Sequence, residues 1–418
     1  MFKKVKRKIK EFQCWKARHR LFSWPSYGKW VEEIHQDKSQ FVPFTDKPYE
    51  RKDGDPKIFA YYLTQFHAIP ENDEAHGKGF TEWTNVASAQ PHFVGHYQPK
   101  IPYDLGFYNL LMPGVMERQV EMAKAYGVYG FCFYYYWFSG KKVLEKPLEY
   151  WLAHKEIDFH YHFCWANENW SKLWDGGNQE IILKQELKEG DAESFFNDML
   201  PYFQDSRYEK IGNKPILMIY RPSLFPRDSF LLFLDVLQCL AKKSGFDGLY
   251  LTFSNRNYVG EEMDPTVFGG YAQTEFPPHE MHVFCKETRN IDRLIPAADF
   301  IIWDTTSFIE NKLYLAEKPY KMFKGCFPSW DNTPRKAWSK GWCFNLTDDG
   351  FTTWLTDILR WTKDNHAPNE QYVYINAWNE WGEGAILEPT RRYGYKSLSI
   401  VKQCLESSRE NRTWRSDE

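Results

Sequence analysis

Residues 372–384 read Y-V-Y-I-N-A-W-N-E-W-G-E-G, an apolar run that leads directly into two acidic residues. The run predicts a buried β-strand, and the acids Glu380 and Glu383 follow it among tryptophans. Residues three apart on an extended strand would face opposite sides, but Gly382 and Gly384 let the chain turn after Glu380. We therefore expect both carboxyl groups to face one pocket, as glycosidic-bond chemistry requires. A pair of exposed loop glutamates is the alternative.

Seven similar runs precede this one and give the chain a regular rhythm. We predict eight strands, at 58–66, 128–137, 158–166, 215–220, 249–254, 266–273, 324–330 and 372–380. Helical spacing of apolar residues predicts helices at 114–126, 191–203, 228–244 and 352–364. Apolar strands that alternate with helices indicate a parallel sheet covered by helices, and eight such units predict an α/β fold, a (β/α)8 TIM-type barrel in one large domain. A doubly wound sheet is the competing architecture, although no GxGxxG or P-loop motif follows any strand.

The composition excludes some classes of function. The chain has 418 residues and a net charge of −3, which argues against binding to nucleic acid. Aromatic residues make up 18% of the chain, which suits sugar binding but equally suits a large aromatic core. The eight cysteines lie without close pairs and predict reduced thiols in the cytoplasm. No CxxC or HExxH motif occurs, so we predict no metal site and no cofactor.

The two ends of the chain differ from the middle. We predict an N-terminal extension at 1–50, a catalytic domain at 51–404 and a polar tail at 405–418. Residues 1–20 hold nine Lys and Arg residues against one Glu, with aromatic residues between them. Residues 1–24 are therefore candidates for a basic amphipathic helix on an anionic membrane surface, or for a solvated extension packed on the main domain. No secretory signal and no run of 18 apolar residues occurs, so we expect a cytoplasmic protein, peripheral to the inner membrane if residues 1–24 bind it.

Polar and aromatic residues follow most of the predicted strands. Barrel enzymes place their chemistry at these C-terminal strand ends, and the long loop after the first strand resembles a binding loop. His67 could instead be a core histidine, Glu168 a structural partner of Arg221, and Asp331 a capping residue. The predicted substrate-binding residues are His67, Trp83, Asn85, His96, Tyr136, Trp165, Asn167, Glu168, Trp170, Arg221, Glu275, Trp330, Asp331, Asn379 and Trp381.

Six motifs together resemble one known family. They are Y-L-T-Q-F-H-A-I-P-E-N-D (62–73), G-K-G-F-T-E-W-T-N-V (77–86), G-H-Y-Q-P-K (95–100), G-F-C-F-Y-Y-Y-W-F (130–138), C-W-A-N-E-N-W (164–170) and N-A-W-N-E-W-G-E-G-A-I-L-E-P (376–389). They resemble the WbsX family, also called glycoside hydrolase family 99-like, of bacterial lipopolysaccharide and O-antigen biosynthesis. The resemblance covers about residues 55 to 400. It implies a barrel similar to that of the family 99 endo-α-mannosidases.

The resemblance also implies roles for the two acids. The mannosidases carry an N-E-W-x-E motif and are thought to retain configuration by using the substrate's own 2-hydroxyl as nucleophile. Carried over, Glu380 would deprotonate that hydroxyl and Glu383 would serve as general acid/base. The sequence departs from the motif at Gly382, where those enzymes commonly have His, and this puts the substrate in question.

Three functions remain open at this stage. The first is a carbohydrate-active enzyme of surface polysaccharide synthesis, acting on a free or lipid-linked oligo- or polysaccharide. The second is a nucleotide-sugar-dependent glycosyltransferase, although the DxD-like Asp53-Gly54-Asp55 precedes the first strand instead of ending one. The third is a glycan-binding barrel without activity, which the presence of both acids argues against.

Overall fold

Eight parallel strands form a closed barrel. The computed structural model describes residues 37–171, 180–254, 264–295, 298–336 and 340–409, with isolated positions among the first 36. The barrel closes because its first strand pairs with both the second and the last. The strands are β1 Lys57–Tyr62, β2 Gly130–Phe138, β3 His160–Trp165, β4 Lys214–Ile219, β5 Tyr250–Ser254, β6 Ala272–Thr274, β7 Met322–Cys326 and β8 Tyr372–Ile375. The predicted (β/α)8 TIM-type barrel is confirmed, and the closed sheet rules out the doubly wound alternative.

Helices follow the strands and include the four that the sequence predicts. They are α1 Pro70–His76, α2 Glu82–Ser88, α3 Val115–Ala125, α4 Lys146–Ala153, α5 Asp191–Phe203, α6 Arg227–Lys243, α7 Thr306–Glu310, α8 Asp348–Asn365 and α9 Lys396–Ser407. The largest difference is at α8, which begins before residue 352 because the Thr347 hydroxyl accepts the Gly350 N–H and caps the helix. Among the described residues, no helix is long and apolar enough to cross a membrane.

Every predicted barrel strand differs from its observed bounds by at least one residue, and the two largest differences are at β6 and β8. Pro265–Phe268 forms a 3-10 turn that the Asp264 carboxylate caps, so β6 begins at Ala272 and not at 266. The predicted strand 372–380 is divided: β8 ends at Ile375, although the Trp378 backbone N–H still bonds the Tyr61 carbonyl of β1. The chain then forms a second, separate strand that carries Glu380.

Aromatic side chains fill the barrel and form the floor of its mouth. Phe59 packs edge-on against His162, and the Tyr374 hydroxyl lies 3.1 Å from the His162 Nε2. Nearer the C-terminal strand ends, Tyr61 packs against Phe276 with ring centroids 4.3 Å apart. An eight-stranded barrel leaves just enough room for such side chains, so its interior is a packed core and the chemistry must lie above it.

Short strands outside the barrel brace the loops at its mouth. One small sheet contains Lys286–Glu287, Phe300–Asp304, Trp330–Asp331 and Gly341–Asn345, and it is inserted between β6 and α8. The remaining short strands are Lys141–Val143, Trp170–Ser171, Ile181–Leu183, Lys210–Ile211, Asn379–Glu380 and Ala385–Ile386. At the N-terminal side, Val42 bridges to Gly394. The basic segment 1–24 lies outside the described residues apart from isolated positions, and most of the predicted tail also lies outside them.

Candidate active site

A tight hairpin after β8 presents the two acids. Asn379–Glu380 pairs antiparallel with Ala385–Ile386, and the connecting turn ends at Gly384, whose φ of 62° is left-handed. Left-handed backbone favours glycine, which confirms the reason that the sequence suggested for this position. The Asn379 side chain accepts the Leu63 N–H at 2.8 Å and donates to the Leu63 carbonyl at 3.0 Å. These bonds fix the hairpin to the chain just after β1, at the C-terminal mouth of the barrel.

Both acids bind one guanidinium group. Arg335 donates through one terminal nitrogen to Glu380 and through the other to Glu383, each at 2.8 Å. Its Nε donates to Glu82 of α2, also at 2.8 Å. Because a guanidinium is a small rigid plane, the two hairpin carboxylates lie within the ~10 Å that acid pairs of glycosidases span. The structure therefore brings Glu380 and Glu383 together, as the sequence predicts.

Burial and mutual repulsion set the charge of this cluster. Burial raises the pKa of Glu380; Arg335 opposes this, but Glu383 and Glu82 raise the pKa further, and the net shift is upward. Burial alone would lower the pKa of Arg335, but the three carboxylates hold it well above its usual range. The buried Glu82 and Glu380 and the partly exposed Glu383 surround one cation and leave an excess of negative charge, so the cluster tends to retain a proton.

Another buried carboxylate, Glu388, binds the hairpin and the residues beside it. Its oxygens accept hydrogen bonds from four neutral donors, on Gln119, Trp378, Tyr108 and Trp381, at 2.6 to 3.1 Å. Burial raises the pKa of Glu388 to about 7, although these donors pull it down. Trp381 in turn packs on Trp83, with centroids 5.5 Å apart. The predicted residues Trp83, Asn379 and Trp381 thus hold the hairpin in place, since their polar atoms are engaged with protein.

Aromatic side chains from β2 face the acid pair. The Glu380 charge helps raise the pKa of both Tyr134 and Tyr136 above the usual range, after burial, which is the larger cause. Tyr136 contacts Trp170 edge-on at 5.0 Å, and the Trp170 indole donates to Asn72 at 3.3 Å. Of the predicted residues, Tyr136 therefore lies near Glu380, and Trp170 packs against Tyr136.

His67 is buried after β1 with its ring unsatisfied. Neither ring nitrogen has the geometry of a hydrogen bond to a partner among the described residues. Burial lowers the pKa of His67 to about 4, and the nearby Thr64 backbone offsets this only in part. The ring is therefore neutral at physiological pH.

His96 and Asp331 form a buried link between two loops. The His96 Nδ1 accepts the His92 N–H, so its Nε2 carries a proton and donates to Asp331 at 2.6 Å. Burial opposes ionisation of Asp331, but His96 and Lys100 outweigh it and hold its pKa well below the usual range. Cys343 completes a group of metal-binding residue types whose ligand atoms lie within 4.8 Å of one another. Both ring nitrogens of His96 already have protein partners, so we assign the group a structural role.

Trp165 and Glu275 face away from the acids. Trp165 packs among Phe195 and Phe233 in the layer between strands and helices. The Glu275 carboxylate accepts from the buried Lys324 ammonium at 2.9 Å and from a backbone N–H of β7. Neither position supports the predicted role in substrate binding. Successive side chains of a strand point to opposite faces, so every other one faces the helices.

The remaining predicted residues mainly connect neighbouring segments. The Asn167 side chain donates to the backbone carbonyl of Arg221 and accepts its backbone N–H. Glu168 pairs with the Arg221 guanidinium at 3.0 Å, which confirms the structural partnership considered for Glu168. Asn85 lies buried on α2, one turn after Glu82. Trp330 is buried in the inserted sheet, with its ring 6.4 Å from that of Phe327.

Three residues of the site were not among the predicted ones. Glu82 lies beside the predicted Trp83 in the F-T-E-W-T-N motif, so the motif held the signal. Arg335 lies four residues after the predicted Asp331, but no neighbouring residue in the sequence indicates that it binds acids. Glu388 closes the motif that carries the acid pair, yet its contacts come from residues distant in the sequence.

Comparisons with known proteins agree with this architecture. Residues 58–401 match the sequence profile of a family described as Glycosyltransferase WbsX. Two curated relatives, both described as Uncharacterized protein WxcX and from two strains of Xanthomonas campestris pv. campestris, are 35% identical over 354 residues. The matches cover 83% of this chain and 49% of each relative, so the chain spans about half the length of these relatives.

Solved structures share the fold at low sequence identity. A glycoside hydrolase-like protein has a TM-score of 0.54 at 13% identity, covering 88% of this chain and 98% of its own. The GH99 endo-α-mannosidase from Bacteroides thetaiotaomicron, in complex with bis-tris-propane, has a TM-score of 0.53 at 11% identity, covering 87% of this chain and 99% of its own. At these identities the similarity concerns the fold.

Proposed function

Because the chain belongs to the family described as Glycosyltransferase WbsX, we propose that it is a carbohydrate-active enzyme that forms or cleaves glycosidic bonds through Glu380 and Glu383. The observation that carries the proposal is the pair of carboxylates held on one guanidinium at the barrel mouth. Barrel enzymes carry their chemistry at this end, and two carboxyl groups are enough for acid/base catalysis at a glycosidic bond.

The proposed reaction proceeds in two displacements with net retention. Glu380 takes the proton of the substrate's 2-hydroxyl while that oxygen attacks the anomeric carbon. The bond to the leaving oxygen breaks, and Glu383 donates a proton to it. A water molecule or sugar hydroxyl then gives a proton to Glu383 and attacks the same carbon, the small ring opens, and Glu380 returns its proton. Burial, which raises the pKa of Glu380, makes its ionised form a stronger base.

The proposed substrate is an α-linked oligosaccharide with a free 2-hydroxyl, free or lipid-linked, from bacterial surface polysaccharide such as O-antigen. Two observations support a sugar. Tyr136, which the charge of Glu380 reaches, offers aromatic surface at the acid pair, and Trp170 packs edge-on against it. One of the solved structures that share the fold is that of an endo-α-mannosidase. Aryl and natural α-mannosides are therefore the first compounds to test.

A nucleotide-sugar-dependent glycosyltransferase is the second candidate, favoured by the name of the family. The two candidates differ in the donor. The protein should be incubated with α-linked oligosaccharides, with and without nucleotide sugars, and the products read by mass spectrometry. Turnover that needs no nucleotide sugar supports the two-glutamate reaction, whereas turnover that requires one replaces it.

The roles of the acids can be separated by the leaving group. Glu383→Gln should slow a natural disaccharide far more than an aryl α-mannobioside, because an aryl leaving group needs little protonation. Glu380→Gln should slow both alike, since both need the attacking oxygen. A 2-deoxy substrate should fail. Normal turnover of the 2-deoxy compound, with a covalent adduct on Glu380, would instead establish ordinary double displacement.

We also propose that residues 1–24 bring the protein to an anionic membrane, where a lipid-linked glycan would lie. The support is the excess of Lys and Arg over acids in this segment.

A further inference from the structure

Each of the three nitrogens of the Arg335 guanidinium binds a carboxylate. Its Nε and its two terminal nitrogens each bind a different glutamate at 2.8 Å, and the residue is 8% exposed. The five N–H groups of a guanidinium point in fixed directions within one plane. Three acceptors around that plane therefore constrain one another, and Arg335 acts as a rigid template for Glu82, Glu380 and Glu383.

The template leaves part of each catalytic acid available. Glu380 gives its Oε2 to Arg335, and Glu383 gives its Oε1. Within the described ranges, no hydrogen bond reaches the second oxygen of either side chain. One oxygen of each acid is thus fixed, and the other remains for a substrate hydroxyl or a glycosidic oxygen.

Gly382, between the two acids, supplies the space that Glu82 requires. A Cβ atom at residue 382 would lie 1.7 Å from the Glu82 Oε1 and 2.9 Å from the Arg335 Nε. Unlike Gly384, Gly382 does not have a positive φ, so its backbone conformation is open to other residues. The glycine at 382 is therefore required by space and not by the turn, which corrects the reason expected from the sequence.

We propose that Arg335 and Glu82 are positioning residues for the acid pair. The absence of a side chain at Gly382 leaves the space that this arrangement requires. Arg335 fixes the distance and orientation of Glu380 and Glu383, and Glu82 fixes Arg335 through its Nε. The catalytic meaning of the arrangement rests on the proposed function, whereas its packing can be tested without turnover.

The packing is tested by a double-mutant cycle read by thermal unfolding. Gly382→Ala should lower the melting temperature by several degrees in the wild-type background, but much less in Glu82→Ala, where the carboxylate is gone. Gly350→Ala, on α8, is the matched control and should cost the same in both backgrounds. An equal cost of Gly382→Ala with and without Glu82 would overturn the assignment of this space.

The positioning role is tested by the pH dependence of kcat on an aryl α-mannobioside. Arg335→Met should lower kcat by roughly tenfold or more, because the acids lose their alignment. It should also move the acid limb of the profile to higher pH, because the remaining Glu82, Glu380 and Glu383 repel one another. Tyr134 and Tyr136 also face Glu380, but they stay neutral because their pKa values are raised.

Two further variants separate positioning from folding. Arg335→Lys keeps the charge but loses the planar fork, so it should lower kcat while leaving the acid limb near that of the wild type. Arg207→Lys changes another buried arginine, one bound to Asp205 in a different part of the barrel, and should alter stability alone. An unchanged profile in Arg335→Met would overturn the positioning role. If the cycle shows coupling but Glu380→Gln turns over normally, the proposed function fails while the packing stands.

Discussion

Glu388 should make the protein less stable as pH rises from about 4.5 to 7. Its carboxylate is buried among neutral donors with no cation among them, and its pKa rises from 4.5 to about 7. Below pH 4.5 the group is protonated in both the folded and unfolded states and adds nothing. Between 4.5 and 7 the unfolded chain loses its proton first, so the free energy of unfolding falls by about 1.4 kcal/mol per pH unit. The total loss is about 3 kcal/mol, and it stays constant above pH 7.

Glu388→Gln removes this dependence, because an amide does not titrate. The new amide group would face donors that now point at oxygen, a cost of about 1 to 3 kcal/mol that is independent of pH. The informative quantity is therefore the slope of unfolding free energy against pH, measured by urea unfolding between pH 5 and 8. The slope should be flatter in the variant than in the wild type. Glu380, whose pKa is also raised, contributes equally to both and cancels.

Asp55→Asn provides the matched control. Asp55 is also buried, but Arg409 and Tyr49 outweigh burial and hold its pKa below 3.8. Its stabilising contribution is present above that pH and is lost only as pH falls further, so its removal should leave the slope between pH 5 and 8 unchanged. If Glu388→Gln keeps the wild-type slope between pH 5 and 7, Glu388 is ionised in the folded protein throughout, and the reasoning is wrong.

Four other perturbations lead to measurable outcomes. Gly384→Ala should lower the unfolding free energy by about 1 to 2 kcal/mol or more, because its φ is left-handed and a Cβ would lie 2.8 Å from the Lys100 Nζ; an unchanged urea midpoint would contradict this. Asp331→Asn should cost about 3 kcal/mol in the same assay, because it breaks the buried pair with His96. EDTA should leave the melting temperature of the wild type unchanged, and a drop would instead indicate a bound metal. Removal of residues 1–24 should abolish binding to anionic vesicles at low salt while the barrel stays folded, and equal binding by the truncated protein would remove the membrane proposal.

Much of the fold could be predicted from the periodicity of the sequence. Apolar runs at the spacing of strands and helices gave all eight barrel strands and four of the helices, although not α9, and the family profile matched as the motifs suggested. The boundaries were less accurate where a local hydrogen bond competes with the pattern. The Thr347 cap lengthens α8, and the 3-10 turn at Pro265–Phe268 shortens β6.

The acid pair could be predicted, but its electrostatic surroundings could not. Glu380 and Glu383 lie close together in the sequence, and the turn chemistry brings them to one side. Their partner Arg335 binds Glu82, which is 253 residues away in the sequence, and no spacing rule connects such positions. Trp165 lies away from the mouth where the sequence analysis expected it, for a simpler reason. Alternate residues of a barrel strand face the helices, and a strand-end aromatic can fall on either side.

The pairing of β1 with β8 has a consequence for how the protein is made. Lys57 lies opposite Tyr372, 315 residues later, so the barrel closes only when nearly all of the described chain has left the ribosome. Glu82 emerges early and Arg335 late, and the hairpin with the two acids follows the strand that completes the barrel. The closed barrel and the acid pair therefore form at the same stage of synthesis. A nascent chain that stops before β8 has neither of them.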